Sequence, residues 1–397
     1  MNRASTLRLA ACGILGLGAA LLIAALLLST YTSGKIAKIP LDIDQTLSST
    51  GSGAALDPAS LLGEKYVVDP DVPMVSQQAM TVETPANAEV VTFQVGTSVR
   101  RSDKQQDNGL LLAMVDTVTL DRRTAEAVSD ADRPSGSLQR PRTITDDKPA
   151  TSIALPHEGL SYRFPYYTEK KSYPYFDPIA QKAFEANYDG EDDVNGLTTY
   201  RFTQNVGYDA DGKLVEPIKY ASLYDKNEDG EVTAPASLWG VEGDPEESIT
   251  MTRFYAAQRT FWVDPVSGTI VRVKERANHY YARDPLTPEV AVADYTVTST
   301  EQTVESQVAA ARDERDRLAL WSRILPISLA AAGVVALVGG TLLGLFSTRV
   351  ETVLGEQGQD DIELGLFGKD ETGPMPAAQA VTEKIPTRRP EPPPPGR

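Results

Sequence analysis

Two uninterrupted apolar runs constrain this chain more than any other feature. Residues 9–28 are twenty small or aliphatic side chains without a charge, and residues 324–346 are twenty-three more uncharged positions. Roughly 20 helical residues at 1.5 Å rise cross the ~30 Å hydrocarbon core of a bilayer. In that medium the backbone has to satisfy its own polar groups, and a helix does so. The first run is longer than the apolar core of a secretory signal, and no clean A-x-A cleavage site follows it, so it reads as a retained anchor. Arg3 and Arg8 precede it and Lys35 and Lys38 follow it, which gives little directional bias. Orientation follows instead from the short leader, residues 1–8, which favours export of the large segment behind it. The expected arrangement is a two-pass plasma-membrane protein with both termini cytoplasmic.

Between the runs, residues 35–317 carry the whole of the chain's formal net charge of −17. This segment is long enough to bury its own core. Its acidity argues against nucleic acid as a partner, because phosphates call for Lys and Arg. The single cysteine, Cys12, excludes an intrachain disulfide and a cysteine-based zinc cage.

Residues 35–60 read as a linker, since "TLSSTGSGAALDPAS" (46–60) is rich in Ser, Gly and Ala. Residues 61–298 read as an extracytoplasmic β-rich domain. Signals stay weak to about Pro85. Short β-branched and apolar runs then appear at 89–100, 110–120, 198–206, 249–263, 269–281 and 290–300. Asp211-Gly212, Asp229-Gly230 and Ser267-Gly268 supply turns. "VTLDRRTAEAV" from Val118 and "FWVDPVSGTIV" from Phe261 share a strand–turn–strand pattern, in which Asp121 and Asp264 are placed to cap local N–H groups. Residues 299–323 read as a helical stalk, with Ser299 and Gln302 at capping-box spacing and Val304, Val308 and Leu318 on one face. Trp321 is an expected interfacial anchor, and Pro326 an expected bend. Residues 347–397 end in "IPTRRPEPPPPGR" and read as a disordered, proline-rich cytoplasmic tail, a candidate for docking in an aromatic-lined groove. The expected fold is therefore α+β: a mainly antiparallel β domain flanked by two transmembrane helices, with a helical stalk before the second.

Nothing here announces an enzyme. The patterns G-x-S-x-G, H-E-x-x-H and G-x-x-x-x-G-K-[ST] are absent, and His157 and His279 read as structural. Asp225, Asn227, Asp229 and Gly230 match the first half of an EF-hand loop, which makes them a candidate calcium site. Ala236, however, stands where the bidentate glutamate belongs, and a polar turn explains the same residues. No other cofactor is expected. "YDGEDDVNG" (188–196) reads as a solvated acidic loop. The densest signal is "GLSYRFPYYTEKKSYPYFD" (159–177), with five tyrosines and two phenylalanines. Tyr162, Phe164 and Tyr166 alternate as one face of a strand would. With Tyr173 and Tyr175 they form a candidate ligand-binding surface, and equally the core of a sheet packed on a helix.

That stretch, "NGLTTYRF" (195–202) and "RTFWVDPVSGTIVRVKER" (259–276) resemble an actinobacterial family of uncharacterised membrane proteins sometimes labelled the porin PorA family. The resemblance covers roughly residues 5–350. It implies an anchor, a large exported domain, a second span and a variable tail; its label implies a pore, and it carries over no catalytic residues. The two-anchor, β-rich layout also resembles the scavenger-receptor class, whose ectodomain passes lipids through a tunnel. The first expectation is thus a non-enzymatic cell-envelope protein whose exported domain binds or conducts a lipid or another envelope component. The alternatives are an oligomeric porin-like pore or channel subunit, and a membrane scaffold. Expected partners are membrane lipids, envelope proteins met by the stalk and tail, and further copies of the chain. Gly13, Gly16, Gly18, Gly333, Gly339, Gly340 and Gly344 would allow such close helix contact.

Overall fold

The computed structural model describes residues 3–129, 133–139, 152–221 and 229–364. They belong to two compact units: Leu21–Ala332, and Met1–Ala20 with Gly333–Arg397.

The first unit is built on a single antiparallel sheet of fourteen strands. In chain order these are β1 (Asp44–Leu56), β2 (Val68–Glu83), β3 (Val90–Arg101), β4 (Leu110–Asp121), β5 (Gly136–Gln139), β6 (Ser152–Ala154) and β7 (Tyr173–Asp177). They continue as β8 (Lys182–Val194), β9 (Leu197–Val206), β10 (Ile218–Lys219), β11 (Glu231–Pro235), β12 (Ser248–Val263), β13 (Ile270–Ala282) and β14 (Val290–Ser299). The spatial order is β6-β5-β4-β3-β2-β1-β14-β13-β12-β9-β8-β7, with β10 and β11 also pairing β12.

The pairing of β1 with β14 joins two meanders into one sheet. It uses residues whose composition suggested a linker. A Cβ on Gly51 would stand 1.9 Å from the Thr296 carbonyl oxygen, and one on Gly53 2.2 Å from that of Asp294. The small residues at 46–60 therefore let two backbones approach closely within a sheet, instead of loosening the chain. The weak-signal residues after them form β2, and the acidic run at 188–194 is the end of β8. There Asp189, Glu191 and Asp193 are exposed while Val194 is buried, the alternation of a strand with one wet face.

Pairing does not stop at the ends of the path. Isolated bridges Leu120↔Ala127, Glu126↔Leu160 and Leu160↔Tyr175 carry backbone contact from β4 to β7. The sheet is curled, so strands far apart in its order share a core. Phe93 and Val118 of β3 and β4 cluster with Phe202 and Phe261 of β9 and β12, and Met74 and Val99 cluster with Val206 and Tyr255. Asp121 and Asp264 cap their turns as expected: Asp121 accepts from the Arg123 and Thr124 N–H groups at 2.8 and 2.9 Å, and Asp264 from the Ser267 N–H at 2.9 Å.

The helices are α1 (Arg3–Leu27), α2 (Ser33–Ile36), α3 (Ala236–Trp239), α4 (Glu301–Ala319) and α5 (Leu325–Leu364). The expected stalk is α4, and it lies on the sheet. Val304, Val308 and Ala311 pack with Val194, Leu197 and Val271, because residues at i, i+4 and i+7 form one apolar stripe. Its N-cap is Thr300, whose hydroxyl accepts from the Thr303 N–H at 3.2 Å. Ser299 is unavailable as a cap, since its hydroxyl accepts from the Val273 N–H at 2.9 Å and keeps β14 paired. Pro326 stands just after a π-helical turn, Leu320–Ile324. A proline has no N–H to return to the preceding turn, and the widened turn absorbs that loss. Helix α5 extends through residues 347–364, where a disordered tail was expected, and residues 365–397 lie outside the described ones.

The second unit contains an antiparallel helix pair. A Cβ on Gly18 would come within 2.9 Å of the Gly333 carbonyl and of Leu337 Cγ, and one on Gly340 within 2.8 Å of Leu15 Cγ. Around Gly13, Gly16 and Gly339 the space is open. Leu9, Leu17, Val334, Val335, Leu342 and Phe346 are exposed. Thr6–Thr30 and Glu301–Arg349 each contain a stretch long and apolar enough to cross a membrane.

Candidate functional site

Inside the curled sheet is a cavity of ≈ 140 Å³. The pleat decides what lines it. Alternate residues face inward, so β1 contributes Gln45, Leu47 and Ser49, β2 contributes Ser76, Gln78 and Met80, and β12 contributes Arg259 and Phe261. Thr303 and Gln307 of α4 close one side, and Gln307 donates to Gln45 Oε1 at 2.8 Å. The wall is therefore mixed, with amides and hydroxyls between aromatic and aliphatic groups.

Three buried polar groups are fixed in or beside this wall. The largest centres on Arg259. Its guanidinium donates to Asp177 Oδ2 at 2.5 Å, to the Tyr255 hydroxyl at 2.6 Å and to Glu275 Oε1 at 2.8 Å. Tyr255 donates in turn to Asp177 at 2.8 Å. Asp177 has no exposure. Burial works to raise its carboxyl, but the Arg259 charge and the N–H groups of its own turn outweigh burial and hold it below the ordinary carboxylate value. The opposite case is His279, which burial, with Arg253 near it, pushes down to about 3, so that it stays neutral.

The second group ties α4 to the wall. Arg163 donates to Glu314 Oε2 at 2.6 Å and to the Ser267 carbonyl at 2.8 Å. The Tyr166 hydroxyl lies 2.5 Å from the same Glu314 oxygen. Arg315 reaches Asp264 Oδ1 at 2.7 Å. Arg163 Nε is buried and has no hydrogen-bond partner among the described residues.

The third group is a row. His157 Nδ1 lies 2.8 Å from Ser161 Oγ, and its Nε2 lies 3.1 Å from Asp116 Oδ1. The Tyr162 hydroxyl donates to Asp116 Oδ2 at 2.5 Å. Phe176 stacks on the imidazole with centroids 3.9 Å apart. Both Ser161 and Tyr162 line the cavity.

The aromatic stretch is divided by this geometry. Residues 161–172 are not a strand: Tyr162 and Tyr167 have φ of 61° and 57°, and the Phe164 and Tyr167 N–H groups bond to the Gly268 and Val266 carbonyls. The alternation of Tyr162, Phe164 and Tyr166 therefore does not place them on one face. Tyr162 and Tyr175 line the cavity. Phe164, Tyr166 and Tyr173 are core residues, with Phe164 4.6 Å from Phe202 and 5.6 Å from Tyr173 between ring centroids. Sequence reasoning missed Arg259, Asp177 and Glu275, because nothing in their spacing announces that three strands bring them together.

Asp225 and Asn227, two members of the candidate calcium loop, lie outside the described residues. Asp229 accepts from the Glu231 N–H at 3.0 Å, the contact of a capped turn. Among the described residues no group of three or more His, Cys, Asp or Glu is placed to hold a metal ion.

Comparison with known proteins supplies what the geometry does not. A family model described as Porin PorA matches residues 10–342. A Porin PorA of Corynebacterium amycolatum is 28% identical over 377 residues, covering 82% of this chain and 95% of that protein. A Porin PorA of Corynebacterium resistens is 30% identical over 326 residues, covering 68% of this chain and 76% of the relative.

Proposed function

This chain belongs to the Porin PorA family, and on that premise we propose that it is one subunit of an oligomeric channel of the cell envelope. In this reading the two apolar helices anchor it in the membrane, the sheet domain lies on the extracytoplasmic side, and both termini are cytoplasmic.

One observation carries the word oligomeric: among the described residues no single copy offers a membrane-crossing water path. The helix pair closes on itself at Gly18 and Gly340, and the side chains exposed between Leu9 and Leu27 and between Val334 and Phe346 are aliphatic or aromatic apart from Cys12 and Thr341. The sheet is no substitute. A lipid-facing barrel wall is apolar outward, whereas β8 presents Lys182, Glu185, Asp189, Glu191 and Asp193 to solvent. A path must then form between copies, and the open space at Gly13, Gly16 and Gly339 leaves room for close helix contacts there.

Lipid carriage by the exported domain takes no support from the cavity. A dry cavity of about 150 Å³ accommodates a benzene ring, and ≈ 140 Å³ is far short of a lipid's acyl chains.

The test is to reconstitute the full-length protein in planar bilayers and to cross-link it in mild detergent. Discrete conductance steps together with a defined cross-linked ladder are expected. A protein that stays monomeric and gives no steps across a wide concentration range overturns the reading.

A further inference from the structure

The cavity contains chemistry that a channel does not need. We propose that Ser161 is the nucleophile of a hydrolytic site for small neutral acyl esters, with His157 as its base and Asp116 as the carboxylate that orients His157.

The hydrogen bonds decide the tautomer. Asp116 is fully buried and already accepts from the Tyr162 hydroxyl at 2.5 Å. As a carboxylate it can only accept, so His157 Nε2, at 3.1 Å, carries the proton. Nδ1 is left with a lone pair, and what it faces, at 2.8 Å, is Ser161 Oγ. That is the arrangement by which an imidazole takes a hydroxyl proton as the oxygen attacks. Phe176, stacked at 3.9 Å, fixes the plane of the ring.

The backbone around the serine is unusual. Gly159 has φ 72°, and a Cβ there would meet the Pro174 carbonyl oxygen at 2.4 Å. Tyr162, which has a side chain, has φ 61°. Strain of this kind persists where the surroundings over-determine it, and it gathers at functional sites. Between these two residues Ser161 lines the cavity, and Arg163 lines the same wall.

Arg163 supplies the independent observation. The residue is only 6% exposed, and its Nε has no partner among the described residues. A buried N–H left unpaired is costly, and an acceptor entering the cavity would relieve that cost. The acceptor should be neutral. Arg163 is already matched by Glu314, and Arg259 by Asp177 and Glu275, so neither of these guanidinium groups calls for an anion. A carbonyl oxygen meets the requirement, and ≈ 140 Å³ limits the group around it to a short acyl ester.

The chemistry balances with water as the only co-reactant. Ser161 Oγ forms a bond to the carbonyl carbon as its proton passes to His157 Nδ1. Charge on the carbonyl oxygen develops beside the Arg163 N–H. The bond to the leaving alcohol oxygen breaks, and His157 returns the proton to that oxygen. Water then attacks the acyl-serine, its proton passes through His157 to Ser161 Oγ, and a carboxylic acid leaves. This site lies within the sheet unit and is independent of whether the helices assemble a channel.

The test uses full-length protein in mild detergent and vinyl acetate, an activated ester about the size of a benzene ring, with peptide mass spectrometry to locate acetyl groups. An acetyl adduct on Ser161 is expected, and loss of about 100-fold or more in turnover in both Ser161→Ala and His157→Gln. Near-UV circular dichroism checks that both variants keep the native fold. If either variant fails to fold, the adduct map of the unaltered protein decides alone. Natively folded protein that carries no adduct on Ser161 overturns the proposal, and the row is then a structural hydrogen-bond chain.

Discussion

The helix pair and the curled sheet solve opposite problems with opposite materials. The pair is held by close approach at Gly18 and Gly340. The sheet holds Arg259, Asp177 and Glu275 in its interior and matches each of them. In a bilayer, apolar burial gives helices no drive to associate, so shape has to provide it. In water, apolar burial drives folding without selecting one arrangement, and directional polar contacts help to define it. The pair therefore depends on what is absent from a side chain, and the sheet on what is present.

Four substitutions test this contrast, beginning with the largest expected effect. Arg259→Met keeps most of the side chain's bulk and removes its charge, which leaves Asp177 and Glu275 without their cation. Breaking a buried pair from one side costs about 3–5 kcal/mol. Urea unfolding of the protein, followed by near-UV circular dichroism, should show a loss of that size. A change below about 1 kcal/mol would mean that the network is not what defines the sheet's interior.

Gly340→Leu should cost about 1–3 kcal/mol by overpacking against Leu15, and Gly339→Leu, one residue away in open space, should cost little. Unfolding in mixed dodecyl sulfate and maltoside micelles measures both. Equal effects would show that the pair is not held by close approach. If Gly339→Leu instead lowers the yield of cross-linked oligomer, the open face is where copies meet.

The smallest effect expected is that of Thr300→Ala, which removes the cap of α4 where the helix leaves β14. A lost N-cap typically costs about 1 kcal/mol. Hydrogen exchange in the first turn of α4 should rise while the Arg259 network is unaffected. Faster exchange along the whole of α4 would mean that its packing on the sheet, through Val304 and Val308, contributes less than the cap.

Legibility followed the range of the interactions. The strand runs at 89–100, 110–120, 249–263 and 269–281 could be read because β-branched and apolar residues act locally, and they became β3, β4, β12 and β13. β1 was hidden because its glycines serve a contact with β14, more than two hundred residues later. The acidic end of β8 resembled a loop because only one of its faces is buried. In the aromatic stretch, residue type left a core and a ligand-binding surface open as alternatives. Two tyrosines with positive φ, invisible in the sequence, decided which residue went to which.

The sequence alone determined the two long apolar runs, the acidic segment between them and the β class, because apolar run length, local propensity and net charge are additive along the chain, and its motifs carried the resemblance to the family. Only the tertiary structure decided the curl of the sheet, the division of the tyrosines, the Arg259 network and the row from Asp116 to Ser161. Those rest on distances between residues far apart in sequence, and such distances are fixed only when strand register and turn geometry are satisfied together.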